Sequence, residues 1–127
     1  MKAKPVKLIN QQWVQVSIEE ATHVELLFPL DIKITVDVDP PYTYYPLSKR
    51  TIPIQLSGSR ETTGNWSWNG DTEKPTLKPS ILTEVNYGEA TYRCHSFVND
   101  GVVQFLSDCS HELAGQTIEL LEVTEVL

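Results

Sequence analysis

The stretch YRCHSFVNDGVVQFLSDCSHELAGQT, Tyr92 to Thr117, decides how the rest of the chain is read. Asn99-Asp100-Gly101 is a tight-turn signal between two runs rich in Val and Phe, so a β-hairpin is expected here. The stretch holds both cysteines of the protein, Cys94 and Cys109, and two of its three histidines, His95 and His111. One Cys–His pair therefore falls on each arm.

Loop length sets which of these side chains meet. Strand side chains alternate faces, so a one-residue slip exchanges the two sets. A three-residue loop, Asn99 to Gly101, pairs Val98 with Val102 and His95 with Phe105. His95, Phe97, Val103, Phe105, Cys109 and His111 then share a face. A two-residue loop, Asp100-Gly101, puts Cys94, Cys109 and His111 on one face and turns His95 to the other. We favour the three-residue loop. Asn99 and Asp100 suit right-handed turn positions, Gly101 suits the positive φ that follows, and Phe97, Val103 and Phe105 gather on one half-buried face. The two-residue register stays open.

Mixed thiolate and imidazole donors favour a transition metal, zinc first. The candidate ligands are His95, Cys109, His111 and Cys94. Cys94 and His95 are adjacent, so both reach one ion only where the backbone bends. A closed four-ligand staple and a three-ligand set with an open position both fit, and only the open form is suited to catalysis. The bland alternative is that the cysteines are small buried hydrophobes. The spacing C-H-x13-C-x-H is not a familiar finger spacing.

At 127 residues the chain is expected to form one domain, 1–127, with the motif-bearing half at about 64–120. Its 17 acidic and 10 basic residues give a formal net charge of -7, which argues against direct binding to nucleic acid phosphates. No apolar run approaches the ~20 residues of a membrane span. Cytoplasm is the default location, since no secretory core follows the basic Met1–Lys7 segment, itself expected as a mobile tail or an edge.

Outward from the hairpin, Trp13 to Val16 reads as a strand. Ser17-x-x-Glu20 matches a capping box, which predicts a short helix from Ile18 to about Leu27. His23 is expected to be a partly exposed histidine. Ile32 to Val38 alternates as a strand. Ile52 to Leu56 carries Pro53 and is expected at a sheet edge. Ser57 to Gly64 is a polar loop. Trp66 and Trp68 fall on one face before an Asn69-Gly70 turn and are expected in the core. Ile118 to Val126 reads as a last strand. The sum is a mainly β domain, a small antiparallel sandwich or irregular barrel with at most one or two short helices.

Two blocks resemble a known family. They are WSWNGDTEKPTLKPSIL, Trp66 to Leu82, and RCHSFVNDGVVQFLSDCSHELAGQT, Arg93 to Thr117. They are similar to a small phage- and prophage-associated family of uncharacterised function, some of whose members carry the label ammonia monooxygenase. Related domains stand beside bacterial ubiquitin-like conjugation genes, where a metallopeptidase role has been suggested. The resemblance covers about half the chain. It rests on W-N-G…P-T-x-x-P-S-I, C-H-S-F-V-x-D-G and S/T-H-x-L-A-G-Q occurring together. In the first block it marks Trp68, Asn69, Gly70, Pro75, Pro79 and Ser80. In the second it marks Cys94, His95, Ser96, Phe97, Gly101, Gln104, Phe105, Asp108, His111, Ala114, Gly115 and Gln116. The position of Cys109 is sometimes Ser in relatives, and Glu112 lies outside the motif. Nothing here resembles a multi-histidine copper site, so the monooxygenase label has no support.

Two functions follow as expectations. The first is a phage-type zinc-binding protein that acts through a protein partner, its metal stapling the hairpin. The alternative is a zinc-dependent hydrolase, peptidase or isopeptidase-like. There His95, His111 and Cys109 would hold the ion, Asp108 would act as base or orient a ligand histidine, and Ser96 would donate to the developing oxyanion.

Overall fold

A computed structural model describes residues 1–30, 34–44, 48–56, 64–87 and 89–123. Eleven strands occur among them and no helix. Nine form one mixed sheet in the order β11-β10-β9-β8-β7-β6-β3-β1-β2. The strands are β1 (Lys4–Ile9), β2 (Gln12–Gln15), β3 (His23–Leu27), β6 (Lys49–Leu56), β7 (Trp66–Trp68), β8 (Leu77–Tyr87), β9 (Ala90–Asn99), β10 (Val102–Phe105) and β11 (Thr117–Glu119). β4 (Ile34–Val36) and β5 (Tyr42–Tyr44) form a separate two-stranded ribbon. All pairings are antiparallel except β6 with β7. The fold is mainly β, and the large sheet does not close into a barrel.

Alternation builds the core. On β3, Val24 and Leu26 are buried while their neighbours are not, and on β6 Ile52 and Ile54 repeat the pattern. On β9, Cys94, Ser96 and Val98 turn inward. Trp68 of β7 is fully buried, so its expected core role holds, while Trp66 is only partly covered. The end of β3 and the segment that follows β11 meet over this core. The rings of Phe28 and Phe105 meet edge to face at 6.1 Å, and Leu121 N donates to Leu27 O at 3.0 Å.

Four expectations from the sequence are corrected. The hairpin has the two-residue loop: Val98 pairs with Val103, Phe97 with Gln104, and Ser96 with Phe105. Asp100 and Gly101 both have positive φ, 48° and 78°, the mirror-image turn that matches the right-handed twist of its strands. Gly101 is required twice over, because a Cβ there would meet the Glu73 carbonyl at 3.1 Å. The helix from Ile18 to Leu27 is absent. Ser17 and Glu20 do bond, Oγ to Oε1 at 3.1 Å, but they close only a turn. The strand alternation of Val24 and Leu26 wins over the capping signal.

Pro53 lies in an interior strand, not at an edge. Ile54 N donates to Thr22 O on the β3 side, so the missing N–H of Pro53 faces β7, whose pairing begins only at Ile54. The basic start of the chain is no tail, since β1 runs between β3 and β2. Residues 57–63 of the polar loop, residues 32–33 of the expected Ile32–Val38 strand and residues 124–126 of the last expected strand lie outside the described residues. No described helix is long and apolar enough to cross a membrane.

Candidate functional site

The two-residue register divides the candidate residues of β9 between the faces of the sheet. Cys94 and Ser96 point into the core, and His95 points out. Of the four ligands expected from sequence, the structure gathers Cys94, Cys109 and His111, whose donor atoms lie within 4.8 Å of one another. They are close enough to hold a metal ion. His95 is not among them. His23 also stands apart on β3, packed edge to face on Trp13 at 4.6 Å.

Burial shapes the chemistry of this inner group. Cys94 is 2% exposed, and burial, with the nearby Cys109, pushes its thiol up to about 12. Arg50 works in the opposite direction, toward the thiolate. His111 packs edge to face on Phe105 at 4.8 Å, and burial lowers its pKa. Its Nδ1 accepts the Leu113 N–H at 3.2 Å, while its Nε2 is buried with no hydrogen-bond partner. Two thiols and an imidazole aimed at one small volume suit a thiophilic divalent cation, which would displace the thiol protons.

The outer face carries a second arrangement. His95 Nδ1 lies 3.0 Å from Asp108 Oδ2, and His95 Nε2 lies 3.0 Å from Ser80 Oγ. An ionised carboxylate only accepts, so Nδ1 carries the proton and Nε2 is left to accept from the Ser80 hydroxyl. The result is an unbroken Ser80–His95–Asp108 relay across three segments of the chain.

Each member is placed by a different element. β8 bulges between Leu77 and Ile81, which pair with Val98 and Ser96 of β9. The bulge turns Ser80 toward His95, and Trp66 Nε1 anchors it by donating to Ser80 O at 3.2 Å. His95 is oriented by the strand itself, opposite Leu82. Asp108 comes from the turn after β10. Arg93, two residues from His95 on the same face, donates to Asp108 Oδ2 from Nε at 3.1 Å and from Nη2 at 3.0 Å. The His95 hydrogen bond, with help from the Arg93 charge, holds the Asp108 carboxyl below its ordinary value. Arg93 also pairs with Glu84, which fixes the guanidinium from its other side. His95 is 24% exposed and Asp108 43%, so the relay is open to solvent.

The two residues given catalytic roles from sequence part company. Asp108 hydrogen-bonds a histidine, although not the one gathered with Cys94 and Cys109. Ser96 does not reach it. It is fully buried beneath the outer face, and its Oγ has no partner. Ser80, whose Oγ lies 3.0 Å from His95 Nε2, was not among the candidate site residues read from the sequence. Its signal was the P-S-I block, but nothing local in the sequence brings Ser80 to a histidine fifteen residues on.

Residues 48–106 match the model of a family described as the bacterial ubiquitination-like system serine protease, BubE. The match spans just under half of the 127 residues. It includes Ser80 and His95, and it stops before Asp108, Cys109 and His111. It agrees with the resemblance to domains beside ubiquitin-like conjugation genes. No curated protein and no solved structure matches the chain.

The lowered pKa of two histidines gives a pH dependence of stability. Burial depresses both His23 and His111 from 6.5. The unfolded chain therefore takes up these protons first as pH falls. Their contribution is complete above 6.5 and is lost as pH drops below it. Asp71 and Asp108 are also depressed, but from 3.8, so they act only at lower pH. Metal-free protein is expected to have a lower urea midpoint at pH 5.5 than at pH 7.5. His23→Gln should narrow that gap. An unchanged midpoint in the parent chain would contradict the assignment.

Proposed function

We propose that this protein is a serine-type hydrolase that cleaves a peptide or isopeptide bond. The observation that carries the proposal is the relay from Ser80 Oγ through His95 to Asp108, with both links at 3.0 Å. The order Ser…His…Asp along the chain is no objection, because unrelated triads share geometry and roles rather than sequence order. Similarity to a family described as a serine protease of a ubiquitination-like system supports the same reaction class. By that likeness the partner is a protein substrate, a ubiquitin-like modifier or its conjugate.

In this reading Ser80 Oγ attacks the scissile carbonyl as His95 Nε2 takes the hydroxyl proton. Asp108 holds the Nδ1–H and stabilises the imidazolium. His95 then returns the proton to the leaving amine, giving an ester on Ser80. Water cleaves the ester by the same route, and Ser80 regains its proton. Arg93 keeps Asp108 aimed. Leu82 and Phe97, 46% and 40% exposed on the same face as His95, offer apolar contact to residues beside the scissile bond.

We also propose zinc as the ion of the Cys94–Cys109–His111 group, on the softness of two thiolates and an imidazole. That group lies on the core side of β9, so the proposed chemistry does not pass through the metal. The serine reading therefore replaces the zinc-hydrolase reading as the one the geometry favours.

The test is reaction with a fluorophosphonate probe followed by peptide mass spectrometry. One probe per chain, on Ser80, is expected. A folded protein left unlabelled, or labelled at another serine, would sink the proposal.

A further inference from the structure

Two dipeptides join the outer relay to the inner group. Cys94 is followed by His95, and Asp108 by Cys109. In each, the cysteine is buried in the inner group and its neighbour is bound into the relay. A connection on one face is therefore held by whatever happens on the other.

The backbone shows how. β10 ends at Phe105, so no strand continues along β9 at His95. The segment from Leu106 to Ser110 takes its place. Leu106 N donates to His95 O at 2.9 Å, and the Cys109 thiol donates to the same carbonyl at 3.1 Å. Cys109 Sγ accepts the His95 N–H at 3.2 Å. Ser110 N donates to Arg93 O at 2.9 Å, and Arg93 N donates to Ser110 Oγ at 2.7 Å. Asp108 sits within this segment and reaches His95 only while the segment lies against β9.

A separate observation points to the same place. Among the described residues, four buried polar side-chain atoms have no hydrogen-bond partner: Arg50 Nε, Thr83 Oγ1, Ser96 Oγ and His111 Nε2. Such atoms are rare in folded proteins. Thr83 is paired with Cys94 across the ladder, and Ser96 follows it by two residues on the same face. His111 belongs to the group itself. Arg50 lies near enough for its charge to act on Cys94. Their concentration around Cys94 fits a polar centre of thiolates and a cation, not a plain apolar core.

We infer that a thiophilic divalent cation, zinc by its ligand set, binds Cys94, Cys109 and His111 and thereby clamps the Leu106–Ser110 segment to β9, fixing Asp108 against His95. Cys109 is then a positioning residue. On loading it gives up its proton and its bond to His95 O, and it keeps the bond from His95 N–H. The inference rests on the Ser80–His95–Asp108 reading, but its test separates the two.

Protein is purified under reducing conditions without added metal, and its native mass is compared with its denatured mass. It is then stripped with a chelator of thiophilic cations. Three readouts follow: the rate of fluorophosphonate labelling, the low-field proton resonance of a His Nδ1–H bound to a carboxylate at low temperature, and the far-ultraviolet circular dichroism. One zinc per chain is expected. Stripping should slow labelling at least tenfold and abolish the resonance, with the β spectrum kept, and zinc should restore both. Cys109→Ser should resemble stripped protein and resist rescue. Absence of bound metal, or a resonance that persists after stripping, would overturn the inference. So would loss of the β spectrum on stripping, since the ion would then hold the whole fold. If loaded protein takes no probe, the hydrolase reading fails alone. The resonance still reports whether the ion sets the His95–Asp108 contact.

Discussion

Ser80→Ala is expected to lower kcat by on the order of 10⁴- to 10⁶-fold, measured on an activated ester such as p-nitrophenyl butyrate, with the fold unchanged. The size follows from what is lost. Without Oγ no acyl-enzyme forms, and His95 has no proton to take. The substitution removes one partly exposed hydroxyl, and the carbonyl that accepts from Trp66 Nε1 is backbone, so the bulge keeps its anchor. Ser96→Ala is the control. Its Oγ is buried and makes no hydrogen bond, so its removal should leave turnover within a few-fold and stability equal or higher. The reverse outcome, with Ser96 essential and Ser80 dispensable, would place the nucleophile in the core and refute the relay.

Asp108→Asn should cost roughly 10³- to 10⁴-fold in kcat with little change in KM. The amide cannot serve as the acceptor-only partner that keeps the proton on His95 Nδ1. It can instead present its NH₂ to that nitrogen, which moves the proton to Nε2 and leaves Ser80 without a base. It also loses the charge that Arg93 pairs with at 3.0 Å. Asp108→Glu tests position rather than charge and should recover only part of the loss. An Asp108→Asn enzyme with full kcat would show that the carboxylate plays no part in the reaction.

The parts of this protein legible in its sequence were those with a short-range cause. The hairpin was legible because Asn99-Asp100-Gly101 sits between two runs rich in Val and Phe, and Trp68 was legible as core. The grouping of Cys94, Cys109 and His111 was legible as one of two registers. The choice between those registers was missed. Phe97 suggested an inward position by its hydrophobicity, yet the structure leaves it 40% exposed and buries Ser96 instead. The relay was out of reach for a different reason. Ser80, His95 and Asp108 meet only because a bulge in β8, the register of β9 and a turn after β10 coincide, and each of these is a tertiary fact. Resemblance had already marked all three positions, without saying that they touch.

β9 carries two messages in alternate letters. Cys94, Ser96 and Val98 spell the inward one; Arg93, His95 and Phe97 spell the outward one. Such a strand tolerates exchange of a letter better than a change of frame. One residue gained or lost between Cys94 and Val98 would transpose the messages, sending a histidine into the core and a thiol into water. Substitution therefore changes one letter at a time, whereas length cannot drift without erasing both messages.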